Sequence, residues 1–232
     1  DDIILSMRDD IATNEKNRDY GDIKVSPNGM NLYQDIQLDY RADTLDVTDI
    51  KDILLGNKSD RLAIVLESTE TDNVLLYWTG HGYNGAFSWL AKDKFTAEML
   101  RETVNTMYEN KQYQSMLICA EPCYSGSVVK AVEGIPLVLG IAAADENESS
   151  YADNFNPDLG VWMCDRFTYN LIRILDKEIH IYFLDLYEKL NASTRGSHVK
   201  VYNSKMFYDL KTSSLSDYFY YFPYKIPLLY SL

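Results

Sequence analysis

An α/β fold with a mostly parallel central sheet is what this sequence predicts, and three observations carry the prediction. Continuous apolar runs, the mark of strands buried on both faces, occur at Asn73–Thr79, Ser115–Ala120 and Leu137–Ala144. Segments of helical spacing lie between them, and strands alternating with helices pair in parallel through right-handed crossovers. The length of 232 residues, with 46% hydrophobic and 25% charged, suits one large α/β domain or at most two small ones.

In chain order, Asp10 to Asp46 is polar and turn-rich, without sustained periodicity. It reads as a long surface excursion with one short hairpin around Asn28-Gly29. Thr48 to Gly56 supplies a capping residue, apolar positions at helical spacing and a terminal glycine, which together spell a helix. Asn73 to Thr79 is the first strand and runs into a loop at Gly80-His81-Gly82. Thr96 to Tyr108 sets Met99, Leu100, Val104 and Met107 on one face, an amphipathic helix. The strand Ser115–Ala120 meets a turn at Glu121-Pro122-Cys123, a short helix from Ser125 and the strand Leu137–Ala144. Val161 to Leu175 and Ile181 to Leu190 read as helices, Val199 to Asn203 as a strand, and Tyr218 to Phe222 as an aromatic terminal segment. No repeat, low-complexity tract or linker interrupts the chain, so residues 1–232 read as a single domain.

Charge excludes some functions. The sequence has 22 basic and 35 acidic side chains, a net of −13. Neutralising nucleic-acid phosphates or an anionic membrane surface needs the opposite sign. The longest apolar stretch, Ile135 to Ala144, is broken by Pro and Gly and is far shorter than the roughly 20 residues of a membrane span. Three cysteines (Cys119, Cys123, Cys164) and three histidines show no metal-ligand spacing, so no metal or cofactor is expected, and the thiols read as reduced.

Reactive groups in open α/β sheets gather at the carboxyl ends of the strands. Two of the expected strands end in such groups. One delivers His81 between two glycines, and the other delivers Cys123 just before the small residues Ser125-Gly126-Ser127. Neighbouring parallel strands would bring them into one crevice although 42 positions separate them. A thiol becomes a nucleophile only as the thiolate, which a nearby imidazole and a helix N-terminus both favour. The backbone N–H groups of Gly82 and Cys123 are placed by sequence to receive a developing oxyanion. Cys119 inside a strand and Cys164 inside an expected helix read as inert core thiols. His180 and His198 read as structural or exposed.

Four segments in this order, Thr79-Gly80-His81-Gly82, Leu100 to Tyr108, Glu121-Pro-Cys-Tyr-Ser-Gly-Ser127 and Glu148-Ser-Ser-Tyr151, resemble the legumain family of cysteine peptidases. That family also contains the catalytic subunit of the glycosylphosphatidylinositol transamidase. The likeness runs from about Ile3 to about Asp209. It implies a caspase-like α/β/α sandwich and a peptide or protein substrate cleaved after Asn or Asp. It implies His81 as base, Cys123 as nucleophile, the Gly82 and Cys123 amides as oxyanion hole, and Glu121, Ser149, Ser150 and Tyr151 as substrate-binding residues.

Three departures shape the expectation. Val161 stands where legumains carry an acidic pocket residue, and Asp165-Arg166-Phe167-Thr168 is closer to the transamidase subunit. Gly80 replaces the Asp associated with ligase behaviour. Family members also begin with a central strand and helix ahead of the strand that opens this chain at Ile3, so that strand is expected from an N-terminal companion chain released by activating cleavage. The sequon Asn147-Glu148-Ser149 lies beside the expected pocket serines, where a glycan would obstruct binding. It argues for an exported bacterial protein of the periplasm or cell surface. Two other functions are compatible with the sequence: a transamidase-like transpeptidase, and a non-catalytic binding module docking a partner through Tyr218 to Tyr224.

Overall fold

The computed structural model describes residues 3–8, 12–15, 17–26, 29–34, 36–90 and 93–219. Asn28, where a hairpin was expected, and the aromatic stretch beyond Phe219 lie outside the described residues. The chain opens with two short strands, β1 (Ser6–Met7) and β2 (Tyr40–Arg41), paired in parallel with each other, and then α1 (Val47–Leu55). Next come β3 (Asn73–Trp78), the short strands β4 (Gly82–Tyr83), β5 (Ala86–Trp89) and β6 (Asp93–Thr96), and α2 (Ala97–Glu109). They are followed by β7 (Ser115–Ala120), α3 (Ser125–Val129), β8 (Val138–Ala142), β9 (Ala152–Asn156) and β10 (Val161–Asp165). The described chain ends with α4 (Arg166–Leu175), α5 (Phe183–Ser193) and β11 (Lys200–Tyr202) before closing 3-10 turns.

The three apolar runs form the sheet they predicted. Its order is β11-β8-β7-β3, with β3, β7 and β8 parallel and β11 antiparallel at one edge. Alternation along β7 splits the core into two layers. Met116, Ile118 and Ala120 face Leu100, Val104 and Met107 of α2 and Val128 and Val129 of α3. Leu117 and Cys119 face Phe167 and Leu171 of α4 and Phe183, Leu186 and Leu190 of α5. Helices therefore cover both faces, an α/β/α sandwich. Among the described residues no strand pairs with the outer edge of β3, and β1 pairs with β2 instead of joining this sheet.

Local chemistry sets the helix boundaries. At α1, the Asp46 side chain accepts from the amides of Thr48 and Asp49 while Asp49 Oδ2 accepts from Asp46 N, a reciprocal capping box. Thr96 Oγ1 accepts from Met99 N and starts α2. Leu100, Val104 and Met107 are fully buried, each stabilising by roughly 1.5–3 kcal/mol relative to exposure.

Two regions depart from the sequence reading. The segment Val161–Leu175, expected as one helix, is the strand β10 followed by α4. Asp165 marks the junction: its backbone is extended, and its Oδ1 accepts from Phe167 N at 3.0 Å, so the helix begins only after it. β10 pairs antiparallel with β9, which was not anticipated. Likewise, β4, β5 and β6 form a three-stranded antiparallel sheet in the order β4-β5-β6, where only a loop was expected. Its first turn is Asn84-Gly85, with Gly85 at a φ of 79° that suits glycine.

Candidate active site

The register of the central sheet fixes how the two reactive strand ends meet. β3 and β7 pair from Asn73↔Ser115 to Trp78↔Ala120, a constant offset of 42. His81 lies three residues past Trp78, and Cys123 three residues past Ala120. They therefore occupy equivalent positions beyond the carboxyl edge of the sheet. Gly82 shows how closely the two loops approach. A Cβ built there would fall 2.2 Å from the Cys123 carbonyl oxygen and 2.7 Å from Pro122 Cβ, so only glycine fits.

An aromatic anchor holds the His81 loop. Trp78 at the end of β3 packs against Phe87 of β5 and its cross-strand partner Phe95 of β6, with ring centroids 5.1 and 5.0 Å away. This pins the small sheet against the strand that leads to His81. The Ser88 amide donates to the His81 carbonyl at 2.9 Å. The next antiparallel pair, Gly82↔Phe87, is then the non-hydrogen-bonded one, so the Gly82 amide points away from β5. At the tip of the β4–β5 hairpin, the Gly85 amide donates to Ser127 Oγ at 2.7 Å, and that hydroxyl donates to the Tyr124 carbonyl at 2.6 Å. The hairpin is thus tied to the turn that presents Cys123.

That turn is sharp. Tyr124 adopts φ 58°, ψ 19° immediately before α3. Its amide donates to the Glu148 carbonyl at 2.8 Å. The Gly126 amide donates to the Ala144 carbonyl at 3.0 Å. Cys123 is half-buried, and its amide has no hydrogen-bond acceptor among the described residues. Its thiol donates to the Ser150 carbonyl at 3.7 Å, and Ser150 Oγ donates back to Sγ at 3.7 Å. His81 is exposed, and no hydrogen bond joins its ring to Sγ among the described residues.

The expected pocket residues fall in two places. Ser149 and Ser150 are half-buried in the loop after β8, with Ser150 against Cys123 and Tyr151 48% exposed beside it. Glu121 is buried one residue past β7, where it accepts from Tyr77 OH at 2.9 Å and from Thr79 Oγ1 at 2.6 Å. It therefore cross-links the ends of β3 and β7. Burial, reinforced by the negative charge of Asp165, pushes Glu121 up to about 7. Burial likewise raises Asp165 to about 6. Cys119 and Cys164 are pushed up to about 12 by burial, so both stay protonated and non-nucleophilic at neutral pH.

A clamp behind the pocket loop had no signature in the sequence. Glu148 Oε1 accepts from the amides of Asp145 (2.8 Å) and His198 (2.6 Å), and its Oε2 lies 2.9 Å from His198 Nδ1. His198, read as structural or exposed, is both: largely solvent-facing and bonded to the residue that shapes the loop. Val161 lies 45% exposed at the start of β10. Asn147 is exposed, and its Oδ1 accepts from Asn84 Nδ2 at 3.3 Å. No group of three or more His, Cys, Asp or Glu side chains among the described residues could hold a metal ion.

Residues 1–218 match the model of the Peptidase C13 family. Legumain of Rattus norvegicus is 31% identical over 219 residues, 90% of this chain and 49% of that protein. A putative GPI-anchor transamidase of Caenorhabditis elegans is 30% identical over 184 residues, covering 76% of this chain and 56% of that protein. The GPI-anchor transamidase of Saccharomyces cerevisiae is 27% identical over 210 residues, 86% of this chain and 50% of its own length. The chain thus spans about half the length of the curated relatives it matches.

Proposed function

The chain belongs to the Peptidase C13 family, and from that premise we propose that it is a cysteine endopeptidase cleaving after Asn or Asp, with Cys123 as nucleophile and His81 as base. The observation that carries this reading is the shared register of His81 and Cys123, with Gly82 pressed against the Cys123 carbonyl. His81 takes the thiol proton, and the sulfur attacks the scissile carbonyl carbon. The oxygen of that carbonyl becomes an oxyanion, received by the amides of Gly82 and Cys123. As the tetrahedral intermediate collapses, the imidazolium returns its proton to the departing amine, leaving a thioester on Cys123. Water, deprotonated by His81, then attacks the thioester and frees the acid and the thiol.

In this proposal Ser149, Ser150 and Tyr151 flank the P1 side chain, and Glu121 supports the pocket from the sheet side. A neutral Glu121 both donates and accepts, which suits a P1 amide or acid whose polar atoms would otherwise be left unpaired. The open edge of β3 fits the further expectation of a companion strand contributed from outside the described residues. An exported location belongs to the proposal as well. The relatives named above are animal and yeast proteins and lend no support to a bacterial origin. No helix among the described residues is long and apolar enough to cross a membrane.

A second reading, transpeptidation, is favoured by Asp165-Arg166 at the β10–α4 junction and by Val161 at the start of β10. Peptides varied at P1, incubated with wild type and with Cys123→Ala, test the family of reactions. Cys123-dependent cleavage after Asn or Asp supports the peptidase, and full activity in the variant refutes it. Added hydroxylamine separates the two readings: hydroxamate as the main product indicates aminolysis, and free acid indicates hydrolysis.

A further inference from the structure

In a protein of net charge −13, three arginines converge on one depression of about 270 Å³ between α4, the end of α5 and β9. Arg166 spends its charge inside the fold: its Nε donates to Asp153 Oδ2 at 2.9 Å and its Nη1 to the Arg195 carbonyl at 2.6 Å. Arg173 and Arg195 are different. Both are exposed, and neither has a carboxylate partner among the described residues. The Arg173 guanidinium lies over the Tyr169 ring, 5.5 Å from its centroid, which holds the planar fork at the rim. With Asp153 offsetting Arg166, the depression keeps two uncompensated positive charges, which attract anions against the field of the rest of the surface.

The depression adjoins the candidate active site. Tyr151 follows Ser150, the residue in contact with Cys123 Sγ. Its ring lies beneath the Arg166 guanidinium, 5.9 Å from it, and against Gly196, next to Arg195. The Arg166 amide also donates to the Tyr151 carbonyl at 2.9 Å. A peptide leaving Cys123 along Tyr151 would therefore run toward this depression. The volume falls below the roughly 300–1,000 Å³ of small-molecule sites, which suits one side chain better than a cofactor.

We propose that Arg173 and Arg195 form a subsite for a carboxylate side chain of the peptide substrate, outside the P1 pocket. Arginine forks match carboxylates in bidentate fashion, and charge complementarity commits this flank to an acidic peptide. The inference rests on the reading of the Cys123 flank as the substrate groove, and its test has an arm that needs no catalysis.

In that arm, peptides with one Asp walked along either side of an Asn are labelled with a fluorophore, and their binding to the Cys123→Ala protein is read by anisotropy. One Asp register should bind tighter than its Asn counterpart, and Arg173→Ala/Arg195→Ala should weaken that register roughly 5- to 30-fold. The neutral peptide should be unaffected, and the preference should vanish in about 0.5 M salt. In the catalytic arm the same pair of changes should raise KM for the acidic substrate and leave kcat unchanged. Equal weakening of acidic and neutral peptides, or no weakening of either, would overturn the subsite. Arginine-dependent binding without any cleavage would keep the subsite and refute the peptidase.

Discussion

Replacing Gly82 by Ala tests the contact on which the site is built. The new Cβ would meet the Cys123 carbonyl oxygen at 2.2 Å, whereas ordinary contact begins at 3.4 Å, so the two loops must part by about 1.2 Å (3.4 − 2.2). The obstacle is a backbone atom, so no side-chain rotation relieves it. Overpacking of this kind costs about 1–3 kcal/mol, which lowers the melting temperature by roughly 2–12 °C in a domain of this size. Catalysis is more sensitive, because a 1 Å misplacement of reacting groups costs on the order of 10²-fold. The assay is kcat/KM on a quenched-fluorescence peptide with Asn at P1, beside thermal unfolding and the rate of Cys123 alkylation by iodoacetamide. A variant that cleaves within about threefold of wild type and melts unchanged would show that the loops of His81 and Cys123 are not pressed together.

Other consequences follow from the buried carboxylates and the loop clamp. Glu121 stands at about 7 in the folded protein against an ordinary 4.5. The stability it contributes is therefore full below about 4.5 and lost as pH rises through 7, by on the order of 3 kcal/mol. Glu121→Gln should flatten the fall in melting temperature across that window, and an unchanged fall would place its cause elsewhere. Because an ionised Glu121 repels an acidic P1, the ratio of kcat/KM for Asp over Asn substrates should drop as pH rises through about 7. A flat ratio would remove Glu121 from the P1 environment. Glu148→Ala strips acceptors from the amides of Asp145 and His198 and should cost about 1–3 kcal/mol in urea unfolding while lowering kcat. Glu148→Gln, which keeps an acceptor, should recover most of both, and equal damage in the two variants would refute the clamp.

The sheet, and the arrival of the His81 and Cys123 loops at one edge of it, were legible because long apolar runs leave few alternatives to buried parallel strands. Strands of that kind carry whatever follows them to one edge. The 42-residue offset required the register itself, which apolar runs do not encode. The strands β4, β5 and β6 are each too short to leave a periodic signal, although Asn84-Gly85 marks their first turn. The β10–α4 boundary was hidden by apolar positions that continue across it, yet Asp165 was a readable cap. Nothing local could have joined Glu148 to His198, since the pair is made by the antiparallel return of β11 beside β8. The arginine depression was equally invisible, because its members come from three separate segments.

Covalent trapping checks whether Cys123 is the nucleophile and His81 its base. A peptide carrying a thiol-reactive electrophile after Asn, incubated with the folded protein and mapped by mass spectrometry, should give a single adduct on Cys123. His81→Ala should slow its formation at least about tenfold without lowering the melting temperature. An adduct on Cys119 or Cys164, or labelling of Cys123 that does not depend on His81, would contradict the account.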